Sequence, residues 1–294
     1  MQALVPWPLV QHDPERCESL GEVNGIPCLV HPALARADAV LCLGIVELHQ
    51  YAGFSGGHKA ASVGCGGRDT IEALHSRALL LDPGVQVGSL ASPFRLHVDA
   101  LGRRVGARWA LQQVPGVGWV AGTPEAALQS AANALAPWEM ISASWERVLL
   151  RVPPTKAVNF YQASRAATYL ALSPAPPLKK GATLVLDAAC PEGVGMGSGE
   201  QAFAALLANH QGNLSTLLAD NTPLAGGAQR ALMLARLLEE YRLVVAGCAR
   251  AGELRALGID ATEEPAEDIA GPEALRVEQP FLRLPQLAAS STPL

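Results

Sequence analysis

The chain has 294 residues, 49% of them hydrophobic, so it can bury a full core, and its length suggests two domains rather than one. A formal net charge of −5 and a pI near 5.8, with charged residues scattered rather than striped, argue against a nucleic-acid surface. No apolar run reaches the roughly 18 residues that span a bilayer, and the first seven residues lack the pattern of a secretory signal; the expectation is a cytoplasmic protein with no membrane contact.

In chain order, residues 4–10 and Ile26–Val30 read as short extended pieces broken by Pro, Asp-Pro and Asn-Gly turn signals. Residues 39–46 form a nearly continuous apolar run, the pattern of a buried strand in an α/β sheet. Six glycines follow within residues 49–67, too many for a helix interior. The spacing then predicts a helix over residues 69–81, opened by Asp69-Thr70, with Ile71, Leu74 and His75 on its inward face. A strand is expected at residues 85–90 and helices at residues 92–105 and Pro124–Leu135.

A boundary is expected within residues 136–142, dividing the chain into domains 1–141 and 142–294. Beyond it strands (147–152, 183–187, 243–246) alternate with helices (161–172, 200–208, 227–241, 250–257), and an edge strand is expected at residues 274–277. Such alternation indicates mostly parallel sheets with helices on their faces. The six cysteines are widely spaced with no C-x-x-C pair, so neither a zinc cluster nor a disulfide framework is expected. Most of them read as small buried apolar residues.

Only four lysines stand against eighteen arginines, and one of them, Lys59, lies just behind a glycine pair. A glycine loop after a buried strand can turn backbone N–H groups toward an anion, in the kind of crevice where α/β proteins bind ligands. It is not a phosphate-binding P-loop, because Lys59 sits between His58 and Ala60 rather than between Gly and Ser or Thr. The glycines also miss the G-x-G-x-x-G dinucleotide spacing. A lysine nucleophile with a depressed pKa remains open.

Residues 49–59 read H-x-x-A-G-x-S-G-G-x-K, and sixteen residues after the lysine comes the histidine of T-I-x-x-x-H. This resembles the core of the lactate racemase family. Asn159-Phe160-Tyr161-Gln162-Ala163-Ser164-Arg165 resembles that family's N-l-Y-Q-a-x-K segment, and related stretches extend the likeness over most of residues 10–205.

The resemblance implies two α/β domains with an active-site cleft between them. It implies a racemase or epimerase of a 2-hydroxy acid that uses a nickel-pincer nucleotide, pyridinium-3,5-bisthiocarboxylic acid mononucleotide nickel. Lys59 would be its thioamide attachment point, His75 the metal ligand and His49 the proton-transfer group. Tyr161, Gln162 and Arg165 would contact cofactor or substrate, Arg165 gripping a carboxylate with two prongs where the family has lysine.

Two further differences are His58, where the family has Arg or a small residue, and Val63, where it has Pro. The family's amino-terminal Asp-x-Thr-Arg-Pro segment and second acid/base histidine have no counterpart here. This leaves room for a partner chain or oligomer supplying the missing half, or for a non-catalytic binding or regulatory relative. His58 itself is expected to be exposed and outside the catalytic set.

Overall fold

The computed structural model describes residues 8–211, 213–220 and 224–288; part of the extended piece expected at residues 4–10 lies outside them. The chain opens with β1 (Glu18–Val23) and β2 (Ile26–Val30), then α1 (Pro32–Ala35), β3 (Val40–Ile45), β4 (Leu48–His49) and β5 (Gly53–Phe54). A π-helical turn at Ala60–Gly64 leads to α2 (Arg68–Leu74), α3 (Arg77–Leu80) and α4 (Pro93–Val105). Next come β6 (Ala107–Val114), β7 (Gly118–Gly122), α5 (Pro124–Leu135), β8 (Trp138–Ile141), β9 (Trp145–Arg151), α6 (Phe160–Ala171), β10 (Leu178–Asp187) and α7 (Ser198–Asn209). The remainder is α8 (Thr216–Ala219), α9 (Arg230–Glu240), β11 (Arg242–Ala246), α10 (Ala251–Ala256), α11 (Ala266–Ala270), β12 (Leu275–Val277) and β13 (Leu284–Leu287).

The fold is α/β, as the alternation of apolar strands and helices predicts. Four strands in the order β11-β10-β9-β12 form an all-parallel sheet. Its central strands are buried on both faces, which explains their near-continuous apolar runs. Val148, Leu150, Leu184 and Leu186 join the main core, where α6 and α9 pack. Leu149, Val185 and Ala246 face α11 through Ala266 and Ala270. β12 lies at the sheet edge, as expected.

A second sheet, β3-β6-β7, is parallel across its first pair and antiparallel across its second. β8 pairs in parallel with β13 from the far end of the chain. The β1–β2 hairpin turns on Asn24-Gly25, both at positive φ (51° and 78°), which is why that dipeptide sits there.

Several expectations needed correction. β3 is an edge strand, not a buried one: Leu41, Leu43 and Ile45 face outward. Residues 85–90 are turn rather than strand. The helix expected over residues 69–81 is split in two, begins at Arg68 after Gly67, and breaks at His75 and Ser76. Strands β6, β7, β8 and β13 had not been anticipated. All six cysteines are free, and Cys28, Cys42, Cys190 and Cys248 are buried. Among the described residues no helix is long and apolar enough to cross a membrane.

Candidate active site

His49 ends β4, and its ring closes the tight turn into β5. Its Nδ1 accepts hydrogen bonds from the backbone N–H groups of Tyr51 (3.3 Å) and Ala52 (3.2 Å). The neutral ring therefore carries its proton on Nε2 and presents an N–H donor. Burial first, then the charges of Lys59 and Arg165, holds this imidazole well below its usual pKa.

The turn is possible only with glycine at position 53. Its φ is +72°, and a Cβ there would lie 1.9 Å from the Ser89 carbonyl oxygen. Helix α4 fixes the loop that follows through a polar stripe at spacings of three, four and three residues: Ser92, Arg95, Asp99 and Gly102. Ser92 Oγ donates to the Tyr51 carbonyl at 2.6 Å. The fully buried Arg95 donates to the carbonyls of Ala52 (3.1 Å), Gly56 (3.3 Å) and Phe54.

His58 is buried, not exposed as its place in a loop suggested. Its Nδ1 lies 3.2 Å from Asp99 Oδ1, and its ring fills the space left by Gly102, where a Cβ would come within 2.3 Å of His58 Cβ. With His58 anchored on α4, its neighbour Lys59 enters the π-helical turn with its amine free of any carboxylate partner among the described residues. Burial, then Arg95, Arg165 and Lys156, lowers the Lys59 amine to about 8. A substantial fraction is then neutral and nucleophilic near physiological pH.

His75 caps the C-terminus of α2, and the unwinding there gives its ring a fixed setting. Nδ1 lies 2.7 Å from the Ile71 carbonyl and donates to it, leaving Nε2 with a free lone pair. Burial lowers its pKa to about 4 against the opposing effect of that bond, so the ring is neutral. It packs edge-on against Tyr51 (5.7 Å between centroids) and Phe94 (5.3 Å), while Tyr51 meets His49 at 5.8 Å. Tyr51 thus stands between the two imidazoles, its hydroxyl pushed up to about 12 by burial and left without a hydrogen-bond partner.

The opposite wall comes from α6 and α9. Asn159 caps α6 by accepting from Gln162 N–H at 2.9 Å, which sets Tyr161, Gln162 and Arg165 on its first turns. The guanidinium of Arg165 lies 6.0 Å from the Tyr161 ring centroid, and that of Arg230, at the start of α9, lies 4.9 Å from it. Arg165 acts electrostatically on Lys59 and His49, and Arg230 acts on His49, His75 and Tyr51. The two walls therefore share one desolvated, cationic environment, with Lys59 acting on both imidazoles.

Residues 6–88 match the family model for the lactate racemase N-terminal domain. Lactate racemase from Lactiplantibacillus plantarum is 33% identical over 82 residues, which is 28% of this chain and 19% of that enzyme. This amino-terminal stretch is similar to the lactate racemase N-terminal domain. The chain's fold is similar to that of the lactate racemase apoprotein from Thermoanaerobacterium thermosaccharolyticum, with a TM-score of 0.80 at 17% identity, over 97% of this chain and 73% of that one. It also resembles a protein from Thermotoga maritima, with a TM-score of 0.67 at 15% identity, over 94% of this chain and 76% of the other. The matched stretch thus spans about a fifth of the length of the Lactiplantibacillus plantarum enzyme.

Lys59, His49, His75, Tyr161 and Arg165 share the one environment, and half-buried Gln162 lies beside Tyr161 on α6. Sequence reasoning missed Arg95 and Arg230. A helical wheel of α4 would have flagged Arg95, since Ser92, Arg95, Asp99 and Gly102 make a polar stripe beside the apolar face of Phe94, Val98, Leu101 and Val105. Arg230 carried no comparable signal.

The residues fit a lysine-tethered metal cofactor. Lys59 offers an amine depressed to about 8, and His75 offers a neutral ring whose second nitrogen is already held by a backbone carbonyl, the usual support for a metal-binding imidazole. Among the described residues no three His, Cys, Asp or Glu side chains cluster to hold a metal ion. A metal bound at His75 would need most of its ligands from a group that arrives with it.

Proposed function

We propose that the chain is a racemase or epimerase of a 2-hydroxy acid, working with a nickel-pincer nucleotide tethered to Lys59. The observation that carries this reading is the packing of Tyr51 between the His49 and His75 rings, at 5.8 and 5.7 Å, with the His75 Nδ1 held by the Ile71 carbonyl and the desolvated Lys59 amine acting on both imidazoles. Lys59 would be the attachment point and His75 Nε2 the protein ligand to nickel, for which a neutral imidazole is a suitable donor. When bound, the group supplies a reversible hydride acceptor at its pyridinium ring.

The chain's own residues bind, orient and stabilise. Arg165 offers a two-pronged grip on the substrate carboxylate, and Tyr161 and Gln162 line the approach on the same helix. His49 would take the substrate hydroxyl proton on Nε2 as hydride leaves the carbon for the bound group, so that both hydrogens lost in forming the ketone have an acceptor. That role requires the other tautomer, with the ring proton on Nδ1 and the hydrogen bonds Nδ1 now accepts from Tyr51 and Ala52 N–H released. The division at residue 141 and a cytoplasmic location go with this reading, as does a cleft between two domains.

A partner is also part of the proposal. Leu41, Leu43 and Ile45 of β3, Trp109 of β6 and Trp119 of β7 share the outward face of one sheet by register, at 49 to 62% exposure. Five large apolar side chains without a charge among them make a broad uncovered apolar face, and a second copy of this chain is the occupant proposed.

The function is tested by loading the protein with mature cofactor and following single enantiomers of 2-hydroxy acids by chiral chromatography. Racemisation that disappears in Lys59→Arg supports the reading. Adduct formation with no turnover of any 2-hydroxy acid overturns it in favour of a non-catalytic or cofactor-carrying relative.

A further inference from the structure

Arg230 is only 5% exposed, yet its Nε and Nη1 have no hydrogen-bond partner. Arg165 Nε and Tyr51 Oη, on elements packed around the same pocket, are equally without one. The acidic groups that might have neutralised these cations are engaged elsewhere: Glu47 with Lys156 at 3.1 Å, and Asp99 with His58 and Arg95. Among the described residues no carboxylate pairs with either Arg165 or Arg230.

A buried guanidinium without an anion is costly to keep, and two facing the same tyrosine ring at 6.0 and 4.9 Å repel each other as well. Burial, then Arg230, holds Arg165 below the usual guanidinium range. A ligand with a single carboxylate would compensate one of the two and leave the other uncovered. In the cofactor-free chain Lys59, not yet tethered, adds to the same demand for negative charge.

We propose that Arg165, Arg230 and Tyr51 form a recognition site for a doubly charged substrate, a 2-hydroxy dicarboxylate. Arg165 takes the carboxylate beside the reacting carbon, and Arg230 takes the distal one. Tyr51 Oη donates to whichever carboxylate oxygen faces the imidazoles. This deepens the racemase reading and rests on it for the identity of the reacting carbon, but recognition of the dianion is a property of the cofactor-free chain.

The test is calorimetric titration of the full cofactor-free chain with malate (two carboxylates), lactate (one) and inorganic phosphate. Charge-assisted pairing at a second guanidinium predicts malate binding at least about tenfold tighter than lactate. In Arg230→Met malate should fall to the lactate level, and Arg230→Lys, which keeps the charge but not the fork, should restore part of the preference. Thermal melts of both variants check that they fold, and the lysine variant alone decides if the methionine one does not. Equal affinity for malate and lactate in the parent, a preference that survives in Arg230→Met, or one undiminished in Arg230→Lys overturns the proposal. So does phosphate binding that outcompetes both acids, which would assign the arginine pair to a nucleotide phosphate. None of these outcomes bears on whether Lys59 forms the adduct, so failure here is separable from failure of the racemase reading.

Discussion

At the scale of single residues, the chemistry depends on keeping basic groups neutral. Lys59 has a folded pKa of about 8 against an unfolded value of 10.5. Between those values the unfolded chain binds the proton that the folded chain has released, so the contribution of Lys59 to stability rises with pH across that window. Urea midpoints measured from pH 8 to pH 10.5 should therefore show a smaller pH-dependent rise in Lys59→Met than in the parent; an identical rise would remove Lys59 as the cause. Modification of Lys59 by an amine-selective reagent, followed by peptide mass, should reach half its limiting rate near pH 8. His49 invites a different comparison. Because it is read as the acceptor of the hydroxyl proton, His49→Gln and His49→Ala should lose turnover alike, by about 10²- to 10⁴-fold in kcat. Turnover kept in His49→Gln would favour a hydrogen-bonding role alone. The spacing of His49, Lys59 and His75 was legible in the sequence because a short loop and one helix carry all three. Arg230 was not legible, since a buried arginine and a solvated one on a helix look the same until the opposite wall is placed.

At the scale of elements, α4 organises the loop, and its features invert ordinary expectations. Gly102 lies in a helix interior, where alanine is normally better by about 1 kcal/mol. Here a Cβ would collide with His58 at 2.3 Å, and overpacking of that kind costs about 1–3 kcal/mol. Gly102→Ala should therefore lower the midpoint of chemical denaturation, and pairing it with His58→Gly, which removes the clashing Cβ along with the ring, should recover part of the loss; a stabilised single variant would show that the loop backbone moves aside freely. The same logic explains which strands could be read. β9, β10 and β11 are apolar on both sides and alternate with helices, so they stood out. β6 buries Gln112 and exposes Trp109, opposite to the usual assignment of faces, and hydrophobic alternation could not orient it. The helix over residues 69–81 broke because the chain must stop at His75 for its ring to turn back onto Ile71, a tertiary demand that no propensity reports.

At the scale of the whole molecule, the outward face of β3-β6-β7 and the cationic pocket pose separate questions. If the face is covered by a second copy, light scattering should give twice the monomer mass, and Leu43→Asp combined with Trp109→Glu should give a monomer with its melting temperature little changed. A parent that is monomeric at high concentration would contradict the pairing. The pocket bears on the central claim, that one amine and one imidazole from the 49–75 segment hold a tethered metal cofactor against α6 and α9. Intact mass and metal content after loading with mature cofactor test it most directly. The account predicts one covalent adduct on Lys59 and one nickel per chain, with the adduct kept and the nickel weakened in His75→Ala. An unmodified Lys59, or nickel bound equally well without His75, would contradict it.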